Sequence, residues 1–123
     1  LRYMAAFSVT FLICSTAMGA SASRAAPLEF PQFDSGAFCQ DLTSKMLDAA
    51  ERDTETKKCL SFEKMARERL GRKWTLVSPA GLAECMKSRE TIKGRSYASL
   101  EICISTDIGM QCLRGDIKCD LKN

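Results

Sequence analysis

Cysteines and carboxylates are the only side chains in this sequence whose types and spacing could carry chemistry. Seven cysteines occur, and no histidine occurs at all. Without imidazole there is no Ser-His-Asp or Cys-His nucleophile, no histidine acid–base catalysis and no histidine metal ligand. The cysteines at Cys39, Cys59, Cys85, Cys103, Cys112 and Cys119 are spaced by 20, 26, 18, 9 and 7. That leaves no Cys-x-x-Cys redox or haem-attachment motif, and the spacings do not match paired zinc knuckles. Phosphate-binding and dinucleotide-binding glycine motifs are missing too. Two carboxylates can cooperate in hydrolysis, and Glu63 with Glu84 is one such pair. With 15 acidic residues in the chain such pairs arise by chance, so both read as solvated surface. The expectation is a non-enzyme with no catalytic residue, metal or cofactor.

The amino end gives the cysteines their meaning. Arg2 precedes an apolar run from Ala5 to Met18, followed by Ala20-Ser21-Ala22. This order of charge, apolar core and small residues is that of a secretory signal peptide over residues 1–22, with a site near Ala25 or Ala26 as the alternative. The run is shorter than the ~20 residues a spanning helix needs, so no stable membrane anchor is expected. Cys14 leaves with the signal, and six cysteines remain. In a small domain exported to the periplasm or secreted, an even set implies disulfides.

The elements that would hold these cysteines are helical. Residues 23–35 form an extended lead-in. From Gly36 the residues Cys39, Leu42, Met46, Ala49 and Ala50 recur on one helical face through about residue 53, with Asp34 or Ser35 as cap. In KKCLSFEKMARERLGRKW, residues 57–74, the stripe Cys59, Phe62, Ala66, Leu70 and Trp74 faces inward, and Glu63, Lys64, Arg67 and Glu68 lie mostly off it. Gly71 is the weak point of that helix. Ser78 caps a third helix with Pro79 at its first position, and Leu82, Cys85 and Met86 turn inward. Ser96 caps a fourth, with Tyr97, Leu100, Cys103, Ile104 and Ile108 inside and Gly109 closing it. The helical domain then covers 36–109, and 110–123 is a disulfide-closed tail. Only Thr75-Leu76-Val77 suggests a strand. The expected fold is all-α, a compact bundle of about four short helices stapled by disulfides.

Six cysteines permit fifteen pairings. Consecutive helices joined by short connections are antiparallel neighbours. Cys39 and Cys59, each near the start of its helix, would then sit at opposite ends. This favours Cys59–Cys85, Cys39–Cys103 and the local bridge Cys112–Cys119.

Charge is uneven along the chain. Residues 64–95 carry nine basic and three acidic residues, and residues 27–63 carry four basic and eight acidic. Arg67, Arg69, Arg72 and Lys73 are the candidate anion-binding residues, for an acidic protein or an anionic envelope surface. Export makes nucleic acid an improbable partner.

The segments CLSFEKMARERLGRKW, AECMKS and GRSYASLEICI resemble small exported cysteine-containing helical proteins of rhizobium-like alphaproteobacteria. The shared positions are Cys59, Glu63, Ala66, Arg67, Leu70, Trp74, Cys85, Ser96, Tyr97, Leu100 and Cys103. The resemblance implies a small helical exported domain and no particular reaction, and the Cys112/Cys119 tail departs from it. Most shared positions on the second helix fall on its expected inward stripe, which speaks for packing. The expected function is therefore binding, inhibition or a role in envelope stress. The alternative is electrostatic capture of an anionic component by the basic band.

Overall fold

The computed structural model describes residues 26–90 and 95–119, with the side chains of 88–90 left aside. The expected signal peptide, the Arg89 side chain, Lys93 and the end of the tail lie outside what is described. Four helices are present, α1 (Ser35–Thr43), α2 (Ala49–Arg72), α3 (Pro79–Glu90) and α4 (Tyr97–Arg114). No strand occurs among the described residues, and the strand candidate Thr75-Leu76-Val77 falls on a 3-10 turn, Trp74–Leu76, with Val77 as its C-cap.

Local chemistry sets the helix boundaries. Asp34 accepts the Ala37 N–H at 2.9 Å and opens α1. The expected helix through residue 53 is broken, because Asp48 starts a new one by accepting the Glu51 N–H at 2.7 Å. Between them the chain turns, and Arg52 clamps the turn by donating Nε and Nη2 to the Met46 carbonyl at 3.1 and 2.8 Å. The apolar residues keep helical phase across this break, which is why periodicity runs through it. At the other end α4 passes Gly109 and stops at Gly115, the described residue with positive φ (77°). There the Gly115 and Asp116 N–H groups donate to the Cys112 and Gln111 carbonyls, a Schellman-type ending. Gly109 closes nothing because the helix needs a left-handed residue to end, and the chain supplies it six positions later. Residues 110–114 therefore belong to α4, and Cys112–Cys119 ties the tail back onto it.

Disulfides pair Cys39 with Cys59 and Cys85 with Cys103, with Cα separations of 5.7 and 5.8 Å. The expected Cys59–Cys85 and Cys39–Cys103 bridges are thus corrected, and the Cys112–Cys119 bridge is found. The reason is the helix break. Because α2 begins at Ala49, Cys59 sits near its middle instead of at its start, level with Cys39 on the short antiparallel α1. Two stapled helical hairpins result, α1–α2 and α3–α4, joined through the 3-10 turn. The spatial order is α1–α2–α4–α3. Helices α2 and α4 run parallel, since Glu63 meets Tyr97 and Lys73 meets Ser105 further along both.

The core lies mainly between the hairpins. Ala66, Leu70, Val77, Cys85, Tyr97, Leu100 and Ile104 are buried together. Residues 26–34 extend over one side of it as a strap. Phe30 packs edge-on against Trp74 and Phe33 against Tyr97, each with ring centroids 4.8 Å apart. Trp74 Nε1 donates to the Leu28 carbonyl at 2.9 Å. Tyr97 Oη accepts from the Phe33 N–H and donates to the Pro31 carbonyl, both at 3.0 Å. Three cystines of this kind fit an oxidising, non-cytoplasmic environment.

Candidate functional site

The functional reading turns on Glu63, which sits inside the fold. It is 2% exposed on the inner face of α2, whereas its neighbour Phe62, expected inside, is 61% exposed. The inward stripe is Cys59, Glu63, Ala66 and Leu70, one step round from the expected one. Glu63 reaches the first turn of α4, where backbone N–H groups lack helical acceptors. Its Oε2 accepts from the Tyr97 N–H at 2.8 Å and Ser35 Oγ at 3.3 Å. Its Oε1 accepts from Ser96 Oγ and from the Ala98 N–H at 3.1 Å. A carboxylate here complements the positive end of α4 and joins three helices. With both oxygens held by two donors each, it has structural work and no free lone pair facing a substrate.

Glu84 does not join it. That residue lies 79% exposed on α3, 3.8 Å from Lys87. It borders a shallow groove beside Asp107, about nine residues along α4 from Ala98, or ~14 Å at the helical rise. The carboxylate pair considered from sequence is not assembled.

The four candidate cations are likewise dispersed. Lys73 Nζ donates at 2.7 Å to both Glu101 Oε1 and Ser105 Oγ, and Arg69 Nε lies 3.7 Å from Glu101 Oε2. Burial pushes the Glu101 carboxyl up, but hydrogen bonds from Lys73 and Ser105 and the Lys73 and Arg69 charges outweigh it, holding it below the usual range. The Arg67 guanidinium lies 5.7 Å from the centroids of both Phe30 and Tyr97, a cation–π position under the strap. Arg72 is exposed at the end of α2. Only Arg69 and Lys73 converge, and they converge on an internal acid.

What the helices do build is an open groove of about 660 Å³ beside Glu63. Leu42 at the end of α1, Met46 in the turn beyond it, Phe62 on α2, and Ala98 and Ser99 on α4 line it. Leu42 is 64% exposed and Phe62 61%, so the rim is apolar and open to solvent. Glu55 and Lys58 border it on α2, paired at 2.7 Å, and the Glu55 hydrogen bond raises the Lys58 pKa. Periodicity placed Phe62 in the core and so concealed this groove. The four-three-four spacing of Cys59, Glu63, Ala66 and Leu70 is the signal that could have found it.

No protein-family profile, curated protein or solved structure matches this chain. Among the described residues no cluster of cysteines and carboxylates could hold a metal ion, and no helix is long and apolar enough to cross a membrane.

Proposed function

We propose that this is a non-enzymatic protein of the periplasm or the secreted fraction that acts by binding through the face formed by α1, α2 and the start of α4. In this reading it serves a binding, inhibitory or envelope-stress role. One observation carries the reading: a groove of ligand-site dimensions has exposed Phe62 and Leu42 at its rim, while the carboxylate at its floor is consumed by structural hydrogen bonds. Cystine content and the signal-like residues 1–22 support export, as does the resemblance to small exported proteins of rhizobium-like alphaproteobacteria. Electrostatic capture of an anionic envelope component has weaker support, because Glu101 and the strap rings engage three of its four cations.

The test is site-specific photo-crosslinking in cells that make the protein, with a benzophenone amino acid replacing Phe62 and, as control, Leu113, which is 83% exposed on α4. A discrete adduct from position 62 and none from position 113 is expected. No adduct at position 62, or equal adducts at both, overturns the proposal.

A further inference from the structure

The three cystines differ in how far solvent reaches their two halves. Cys39 is 0% exposed and its partner Cys59 half-buried, and Cys85 is 2% exposed and its partner Cys103 half-buried. In the third, Cys112 and Cys119 are both half-buried and neither is enclosed. Exchange with an external thiol proceeds by attack of a thiolate on one sulfur while the other leaves as a thiolate. Attack on Cys59 must expel Cys39, and attack on Cys103 must expel Cys85, each into packing that cannot hydrate an anion. Only at Cys112–Cys119 do a reachable target and a solvated leaving group coincide.

What holds the halves together differs as well. Cys39 and Cys59 ride on the paired helices α1 and α2, and Cys85 and Cys103 on α3 and α4. Once reduced, either pair stays face to face at high effective concentration, so its bridge re-forms before the thiols separate. Cys119 instead lies in coil beyond the end of α4 at Arg114. Its segment is tied back by the Gly115 and Asp116 N–H groups on α4 carbonyls and by Asp116 on Arg114 Nε at 2.9 Å, all close to the helix end. The core includes Cys85 and packs against Cys103, but it takes in no residue of 115–119. Opening the third bridge therefore frees a short segment and leaves both hairpins closed.

We propose that Cys112–Cys119 is a thiol–disulfide exchange site that accepts electrons from a dithiol, while the other two cystines remain as staples. The last turn of α4 disfavours an anion at Cys112, so Cys112 is attacked and Cys119 leaves. One thiolate of the dithiol bonds to Cys112 Sγ, the Cys112–Cys119 bond breaks, and Cys119 Sγ carries off the electron pair and takes up a proton. The second thiolate then attacks the dithiol's own sulfur in the mixed disulfide, and Cys112 leaves and is protonated in turn. The dithiol ends as a disulfide, and its two electrons and two protons end on the protein's two thiols. The site lies about thirteen residues along α4 from Ser99, or ~20 Å from the groove at the helical rise, and does not depend on the binding reading.

The experiment is timed reduction of the oxidised protein by dithiothreitol without denaturant, after any free thiol has been blocked, with acid quench, alkylation and peptide mapping. Cys112 and Cys119 should become alkylated at least about tenfold faster than the other four, with far-UV circular dichroism and Trp74 fluorescence unchanged while only they are open. In C112S/C119S the fast phase should vanish and the slow phase keep its rate, since the wild type has by then lost the same bridge. Equilibration in mixtures of reduced and oxidised dithiothreitol gives a second readout. Half-reduction of Cys112–Cys119 should need a reduced-to-oxidised ratio at least about tenfold lower than the other two cystines need. Release of all six thiols together, earlier opening of another bridge, equal half-reduction ratios, or a fast phase that survives in C112S/C119S overturns the proposal. So does a first opening that comes with loss of helical signal, because reduction then follows unfolding.

Discussion

Glu63→Gln changes almost nothing in shape and removes one charge from the centre of the molecule. In the wild type each carboxylate oxygen accepts two hydrogen bonds, from Ser96 and Ala98 on one side and Ser35 and Tyr97 on the other. The amide of glutamine has one accepting oxygen, so whichever way it turns, its NH₂ group faces a backbone N–H that can only donate, beside a serine hydroxyl. A hydrogen bond to a charged group contributes ~1.5–3 kcal/mol, and an anion at a partly buried helix amino terminus up to ~2 kcal/mol. These contributions overlap, and the amide still accepts on one side. The net loss is then about 3 kcal/mol, at the lower edge of the ~3–5 kcal/mol of breaking a buried charge pair.

The assay is urea unfolding with the disulfides intact, followed by far-UV circular dichroism and by Trp74 fluorescence. With a urea slope near ~1.5–2 kcal/mol/M for a domain of this size, the midpoint should fall by about 1.5–2 M. Ser35→Ala, which removes only the 3.3 Å bond, is the internal comparison and should cost about 0.5 kcal/mol. A Gln variant within about 0.5 kcal/mol of wild type would refute the assignment of Glu63 as the charged acceptor for the first-turn N–H groups of α4.

Other consequences are directly measurable. Tyr97→Phe removes the acceptor of the Phe33 N–H and the donor to Pro31, and should cost ~1–3 kcal/mol with loss of hydrogen-exchange protection at the Phe33 amide; unchanged protection would count against the strap contact. Non-reducing peptide mapping should return Cys39–Cys59, Cys85–Cys103 and Cys112–Cys119, and a Cys59–Cys85 peptide would contradict the fold. Replacing the pair that closes the seven-residue separation should cost about 2 kcal/mol, against about 3 for either of the longer loops, read from denaturant midpoints. Because the Glu101 carboxyl is held low in the folded chain, its contribution is complete above the unfolded carboxyl range and is lost as pH falls through the folded value. Lys73→Met should therefore flatten the acid limb of the stability–pH curve, and an unchanged limb would show that the Lys73 contact does not hold Glu101 down.

Much of the fold was legible because its signals are local. Ser78-Pro79 and Ser96 announce α3 and α4, and the structure uses both hydroxyls as caps, to the N–H groups of Gly81 and Ser99. The inward residues Leu100 and Ile104 follow from spacing alone and are fully buried. The misplaced features share a different cause. The break at residues 44–48 hides because Met46 and Ala49 stay in helical phase while Asp48, between them, restarts the helix. That one error moved Cys59 from mid-helix to helix start and exchanged two disulfides. Phe62 and Glu63 traded places because hydrophobicity ranks phenylalanine inside and glutamate outside, and only the unsatisfied amino terminus of α4, a tertiary fact, reverses that order. The groove follows from that reversal, so it was invisible for the same reason.

The covalent staples leave one boundary uncrossed. Each disulfide lies within a hairpin or at its tail, and the chain itself passes between the hairpins through the 3-10 turn. The α2–α4 boundary is therefore held by packing of Ala66 and Leu70 against Tyr97, Leu100 and Ile104, and by a polar lock at each end: Glu63 on the start of α4, Lys73 and Arg69 on Glu101. A buried charge that needs four donors tolerates no sliding, because a shift of one turn would strand it, so Glu63 fixes the parallel register of the two hairpins. That register places Ala98 and Ser99 opposite Phe62, which is what opens the groove. The residue that reads from sequence as solvated surface thus acts from inside the fold through geometry, by holding together the face on which the binding reading depends.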